Sequence, residues 1–153
     1  MKITTNVSLK VILKGKKVLR AELTKENVHE DHSLKALVKD YLEGKGDIYL
    51  RGYELSAENL PPKVWRVLKF LKENVPPGES VTYGELGKAL GFHPRFVGYC
   101  MATNPFPLLI PCHRVVSKAG LGGFSYGLDI KEELLSFERL KFKRSHELIY
   151  EKF

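Results

Sequence analysis

The most constraining feature of the sequence is a cysteine that lies between a proline and a histidine. Cys112 follows the apolar run 107–111 and precedes the glycine-rich segment 120–127. Glycine lets a backbone approach a site closely, so this pattern predicts that Cys112 faces a pocket lined partly by backbone. Adjacent side chains of an extended segment point to opposite sides, so no direct contact between Cys112 and His113 is predicted.

Two interpretations of Cys112 remain open at this point. A free cysteine is commonly a small buried hydrophobe without chemistry. Alternatively, His113 acting through a water molecule and the positive charge of Arg114 would both favour the thiolate, which is the nucleophilic form. The only other cysteine is Cys100. Two cysteines are too few for a disulfide framework, so we expect free thiols in a reducing compartment.

Glu138 is the second unusual residue, because it lies on the apolar face of the last predicted helix, residues 129–142. It follows Leu134 by one helical turn. Burying an unpaired carboxylate costs several kcal/mol, so a partner such as His113 or a backbone amide is implied. The alternative is that Glu138 lies at the edge of a weakly amphipathic helix.

The first part of the chain, residues 1–57, predicts a small α/β domain. Residues 7–13 and 17–23 are rich in Val, Ile and Leu and flank a Lys-Gly-Lys turn, which indicates a β-hairpin. Ser33 is the predicted N-cap of a helix that ends before Gly44, and residues 48–55 are predicted as a further strand. We therefore expect a small antiparallel sheet with one helix.

Residues 58–153 predict a second, mostly α-helical domain. Its first helix starts at Pro62 and ends near Asn74, and a capping box from Thr82 to Glu85 starts a second, short one. A third starts at Pro94. The two short helices and their tight turn resemble a helix-turn-helix. The last residues, 143–153, form a polar tail.

The basic residues are concentrated in this second part. The net charge is +7, and 14 of the 25 basic residues but only 9 of the 18 acidic ones follow residue 60. This balance favours a polyanionic partner such as nucleic acid. The chain shows no signal-peptide pattern and no apolar run of membrane-spanning length, so we expect a cytoplasmic protein without membrane contact. His29 and His32 lack further ligands nearby, so no metal site is expected.

The segment Ile110–Val116 reads Ile-Pro-Cys-His-Arg-Val-Val and resembles the acceptor-cysteine motif of the O6-alkylguanine-DNA alkyltransferases, which are suicide repair proteins for alkylated guanine. The resemblance covers roughly residues 60–142, including Tyr83, Asn104 and the helix with Glu138. The first 55 residues resemble the variable N-terminal domain of the family only in layout.

The resemblance implies a role for each matching residue. Cys112 would accept the alkyl group, His113 would deprotonate it through water, and Glu138 would orient and charge His113. Tyr83 would donate a hydrogen bond to the flipped guanine, and Asn104 would buttress the turn. The other implied positions are DNA-binding residues, Arg95, Gly98 and Arg114 together with Tyr83, and pocket residues, Met101, Val115, Phe124, Ser125 and Tyr126.

The implied function is irreversible, single-turnover transfer of the alkyl group from O6-alkylguanine in duplex DNA to Cys112 after base flipping. A monomer would act without any cofactor, because displacement at carbon needs only a thiolate, alignment and a stabilised leaving group. Phe124 stands where relatives usually have tyrosine, and Tyr126 stands where they often have glycine. The zinc ligands of some relatives have no counterparts here.

Two other classes of function fit part of the pattern. A non-catalytic helix-turn-helix module would also use the basic second part, but it would have no use for a cysteine that is followed by His113 and relayed to Glu138. A cysteine hydrolase would use a nucleophilic Cys112, although its histidine normally comes from elsewhere in the chain.

Overall fold

The computed structural model describes residues 1–142, so the predicted polar tail lies outside the described residues. The elements, in chain order, are β1 (Ser8–Lys14), β2 (Lys17–Thr24), α1 (His32–Leu42), β3 (Glu54–Leu55), α2 (Pro62–Asn74), β4 (Val81–Thr82), α3 (Tyr83–Leu90), α4 (Pro94–Ala102), a 3₁₀ turn (Cys112–Arg114), β5 (Val115–Val116) and α5 (Leu128–Lys141).

The first sheet is mixed rather than antiparallel. The predicted hairpin of β1 and β2 is confirmed, but β3 pairs with β2 in parallel. The chain returns to β2 through α1, and a helical crossover of this kind is what parallel pairing requires. The predicted strand 48–55 is wrong except for its last two residues, because Arg51 and Gly52 have positive φ angles, 48° and 92°, and form a turn.

Helix α1 begins two residues earlier than predicted. Its N-cap is Asp31, whose carboxylate accepts a hydrogen bond from the Ser33 amide at 2.9 Å. Aspartate caps as well as serine does, and its charge also interacts favourably with the positive end of the helix dipole. The buried face of α1 includes Leu37 and Tyr41.

The helices of the second part follow the sequence prediction. The capping box is confirmed, since the Glu85 amide donates to Thr82 Oγ1 at 3.0 Å and the Thr82 amide donates to Glu85 Oε1 at 2.9 Å. Helix α3 ends at Leu90, and its C-cap Gly91 has the left-handed conformation. His93 is the N-cap of α4, and its Nδ1 accepts a hydrogen bond from the Arg95 amide. Strand β4 pairs in parallel with β5, which brings the segment after Cys112 alongside the start of α3.

One continuous cluster of buried apolar side chains extends through both predicted domains. The two parts are also joined by a hydrogen bond of 2.9 Å from the Ala21 amide to the Pro105 carbonyl. The division at residues 57 and 58 stays a prediction. Within residues 1–142, no helix combines the length and hydropathy needed to cross a bilayer.

Candidate active site

Cys112 begins a tight turn and does not lie in an extended segment as expected. Asn104 stabilises the loop that leads into this turn. Its Nδ2 donates to the Ile110 carbonyl at 3.1 Å, and its Oδ1 accepts from the Phe106 amide at 2.9 Å. Leu108, inside this loop, has a φ of 69°. A positive φ is strained for leucine and persists only where the surroundings enforce it. Asn104 thus holds the loop 106–110 through both ends of its amide, and the buttressing role that the resemblance implied for it stays a prediction.

The Cys112 thiol is 5% exposed. Burial raises its pKa, and this effect outweighs the hydrogen bond from Asn104 and the positive charge of Lys131, which lower it. The resting side chain is therefore a neutral thiol at neutral pH, and it needs a base before it can act as a nucleophile.

His113 lies fully buried and contacts Glu138. Its Nε2 is 2.7 Å from Glu138 Oε2. Burial raises the pKa of Glu138, but its interactions with His113 and Arg114 hold it well below its usual range. Because the carboxylate is ionised, Nε2 carries the proton and donates it. Nδ1 is buried and has no hydrogen-bond partner among the described residues, so its lone pair is available to accept a proton.

Arg114 is not a DNA-binding residue in this structure, contrary to the prediction. Its side chain is fully buried and forms ion pairs with Glu138 and Asp47, with shortest distances of 2.9 Å in both cases. It also donates to the Val75 carbonyl at 2.8 Å. Two carboxylates offset the guanidinium charge, so Arg114 does not supply the free positive potential that was expected near Cys112.

Sequence reasoning missed two further partners of this group. The hydroxyl of Tyr41 donates to Glu138 Oε2 at 2.6 Å, and Asp47 accepts from both terminal nitrogens of Arg114. Tyr41 matches the apolar spacing of α1, which predicts burial but no polar partner. Asp47 lies in a connecting segment, where an acidic residue carries no signal.

Lys131 is a third polar residue that sequence reasoning missed, although it lies in α5, the helix that contains Glu138. Its fully buried ammonium donates to the carbonyls of Val115 and Gly123 at 2.8 and 2.9 Å. Burial lowers its pKa to about 8, and the negative charge that Cys112 carries as a thiolate opposes this only in part. Val115 is fully buried and, contrary to the prediction, is not among the residues that line the pocket in front of Cys112.

A small pocket of about 160 Å³ opens in front of Cys112. Eight of the predicted site residues line it, namely Tyr83, Gly98, Met101, Asn104, Cys112, Phe124, Ser125 and Tyr126. Pockets for drug-sized ligands are larger, roughly 300–1,000 Å³, so this one suits a single flat group. The rings of Phe124 and Tyr126 lie 5.7 Å apart.

Glycine is required at one point beside this lining, at Gly122, which packs on the lining residue Tyr83. Gly122 has a φ of 74°, and a Cβ atom there would lie 2.9 Å from both the ring and the hydroxyl of Tyr83. The glycine-rich segment therefore packs directly on Tyr83, as the close backbone approach predicted from the sequence requires. The pKa of Tyr83 is raised by burial, so its hydroxyl stays protonated.

Helix α4 contains Arg95 and also forms one side of the pocket. Arg95 is exposed in the first turn, and Gly98 and Ala102, three and seven residues later, line the pocket. These spacings place all three on one helix face. Among residues 1–142, no group of three or more His, Cys, Asp or Glu side chains is arranged to hold a metal ion.

These features place a buried cysteine thiol at the end of a small pocket, next in the chain to a histidine that is paired with a buried carboxylate. Residues 62–140 match the model of the 6-O-methylguanine DNA methyltransferase, DNA binding domain. The chain belongs to this family.

Similar curated proteins carry one name. The "Methylated-DNA--protein-cysteine methyltransferase" of Methanocaldococcus jannaschii is 41% identical over 72% of this chain and 68% of its own length. The protein of that name from Thermococcus gammatolerans is 47% identical over 58% of this chain and 51% of its own length. The chain thus spans about half the length of the first curated relatives it matches.

Solved structures agree with the fold. The O6-methylguanine-DNA methyltransferase of Pyrococcus kodakaraensis strain KOD1 has a TM-score of 0.73 at 28% identity and covers 90% of this chain and 95% of its own. The Mycobacterium tuberculosis OGT in complex with DNA has a TM-score of 0.71 at 25% identity, with 87% of each chain covered.

Replacing Arg114 by leucine should lower the free energy of unfolding by about 3 to 5 kcal/mol, because it leaves the buried Glu138 charge unpaired. Arg95→Leu is the matched control, since that side chain is exposed, and it should change stability by no more than about 0.5 kcal/mol. Urea unfolding of both variants measures the difference. Equal, small effects would show that Arg114 has no structural role.

Proposed function

We propose that this chain transfers an alkyl group from O6 of guanine in duplex DNA to Cys112, once per molecule. The proposal is carried by one observation. His113 directly follows Cys112 in the chain, and its Nε2 is hydrogen-bonded to Glu138. Its Nδ1 is buried and has no hydrogen-bond partner among the described residues, so the Nδ1 lone pair is free to accept the thiol proton. A purely structural histidine would leave a buried ring nitrogen unsatisfied at a cost of about 1 to 3 kcal/mol.

In the proposed reaction the thiol proton passes through a water molecule to His113 Nδ1. The sulfur then attacks the alkyl carbon, an S–C bond forms, and the C–O6 bond breaks with its electron pair moving to the purine. Tyr83 lines the same pocket and stays protonated, so it would donate a hydrogen bond to the leaving purine. The purine anion takes up a proton from water, the imidazolium of His113 releases its proton to the solvent, and the restored guanine stays in the DNA strand.

The reaction is single-turnover because its product is a thioether. The S–C bond of a thioether is not cleaved under these conditions, so the alkyl group stays on the sulfur and Cys112 is not regenerated. The protein thus acts as a reagent as much as a catalyst. Displacement needs a positioned thiolate and a stabilised leaving group, so the proposal includes no cofactor.

We propose that α3 and α4 form a helix-turn-helix and that α4 lies in the minor groove. Arg95 would fill the gap that the flipped nucleotide leaves in the stack. This arrangement is supported by the geometry of α4, because Arg95 lies on the same helix face as the residues that line the pocket. The M. tuberculosis OGT neighbour, solved in complex with DNA, supports DNA as the partner.

We further propose that the protein acts as a monomer in the cytoplasm. Cys100 and Cys112 are both free, and free cysteines fit a reducing compartment.

Incubation with duplex DNA that carries radiolabelled O6-methylguanine should label Cys112 with a stoichiometry that saturates at one methyl group per chain. Peptide mapping locates the label. Cys100→Ala is the control for the second cysteine and should still be labelled, whereas Cys112→Ala should not. Multiple turnovers, or label on the Cys112→Ala protein, would contradict the proposal.

Arg95→Ala should slow repair of duplex DNA at least tenfold while leaving reaction with free O6-methylguanine nearly unchanged, because only the duplex has a gap to fill. Single-turnover rates on the two substrates measure this. Lys88, in the last turn of α3, offers a control, and Lys88→Ala should affect DNA affinity alone. Similar losses on both substrates would remove the proposed role of Arg95.

Tyr126 should restrict the pocket to small adducts, because its side chain occupies volume where relatives often have glycine. Tyr126→Gly should raise the ratio of benzyl to methyl transfer rates severalfold. Tyr99→Gly, which removes an exposed tyrosine that does not line the pocket, is the control. An unchanged ratio in Tyr126→Gly would exclude this residue from specificity.

A further inference from the structure

We propose that Tyr41 and Asp47, from the first part of the chain, are positioning residues of the relay that activates Cys112. The inference rests on the proposed function, since it assigns these residues to the same reaction. Both lie outside the segment 62–140 that matches the family model. Their juxtaposition with Glu138 and Arg114 carries the inference.

The Glu138 carboxylate is held by four hydrogen bonds. Oε2 accepts from Tyr41 at 2.6 Å, from His113 Nε2 at 2.7 Å and from Arg114 Nη2 at 3.1 Å, and Oε1 accepts from Arg114 Nε at 2.9 Å. Tyr41 and His113 therefore share one oxygen atom. The electron density that Oε2 offers to the imidazole depends on how strongly the tyrosine hydroxyl binds the same atom.

Tyr41 is fully buried, and its ring packs against Phe137 and Phe142 with centroid distances of 5.4 and 5.9 Å. Both contacts fix the direction of the hydroxyl. Burial and the neighbouring Glu138 charge raise the pKa of Tyr41 well above its usual value, so the hydroxyl stays a donor. Tyr41 thus holds the carboxylate in one orientation toward His113.

Asp47 determines the net charge behind His113. The charged groups that face Glu138 are Arg114 from the turn, Asp47 from the segment after α1 and Lys72 from α2, with neutral Tyr41 from α1. With Asp47 ionised, the negative charges of Asp47 and Glu138 balance the positive charges of Arg114 and Lys72, and the net charge of the group is zero. Without it, the group carries one excess positive charge, which would oppose the proton that His113 must accept from the thiol.

Stability alone does not explain this arrangement. Buried ion networks of this kind are often no more stable than well-packed apolar side chains. A second carboxylate that neutralises Arg114 leaves Glu138 free to act on His113, which is a requirement of the reaction. This charge balance is the chemical reason for a polar connection between the first part of the chain and the relay.

The test measures single-turnover methyl transfer from free O6-methylguanine between pH 5 and 9. Asp47→Asn should lower the plateau rate about threefold to tenfold and move the acid limb of the profile to lower pH by roughly half a unit to one unit, because protonated His113 loses a stabilising charge. Asp47→Glu should restore both. Tyr41→Phe should move the acid limb the opposite way, because Oε2 then binds the imidazole proton more strongly.

The controls separate positioning from folding. Asp40→Asn, at a half-buried position that pairs with Arg51, and Tyr49→Phe, at an exposed position, make the same changes away from the relay and should leave the profile unchanged. The amplitude of each reaction reports the folded fraction, whereas the rate constant reports the chemistry of that fraction. Reduced amplitude with unchanged profiles would overturn the inference. If the wild-type chain transferred no methyl group to Cys112, the proposed function itself would fail.

Discussion

The ion pair between Arg114 and Glu138 is the interaction on which the rest of the site depends. Both side chains are buried, and removing ions from water costs several kcal/mol each unless geometry and hydrogen bonds compensate. Arg114 meets this condition by binding Glu138, Asp47 and the Val75 carbonyl at the same time. One guanidinium therefore joins α5, the end of α2 and the segment after α1 around the cysteine turn.

The resting site combines this ion pair with a buried thiol. Glu138 is kept ionised, and its charge is directed at His113, while burial keeps Cys112 a neutral thiol. A buried neutral thiol is a poor nucleophile and resists oxidation. In the proposed single-turnover reaction a reacted molecule is not restored, so low reactivity toward other electrophiles would preserve the protein until a substrate enters the pocket.

Local signals in the sequence predicted the features that depend on local interactions. The hairpin around Gly15 and the capping box at Thr82 each depend on residues close together in the chain. The pocket lining extends from Tyr83 to Tyr126, and most of it was expected from the family resemblance rather than from a local pattern. The wrong prediction for Arg114 has another cause. The family resemblance implied a DNA contact for this residue, but its partner Asp47 lies 67 residues away and no local pattern indicates the pair. Tyr41 and Glu138 are separated by 97 residues, and helical periodicity predicts that both are buried but not that they meet.

The charge balance at Arg114 bears on how much of the chain the chemistry requires. Residues 62–140 contain the cysteine, the histidine, the glutamate and the arginine, yet this segment alone has one carboxylate for the buried guanidinium. The second carboxylate and the tyrosine that fixes Glu138 come from residues before 62. Cutting the chain at the predicted boundary would expose this face of the ion pair to water and weaken its attraction, since charges interact far less strongly in a high dielectric. The first part of the chain thus completes the electrostatic environment in which the relay is assembled.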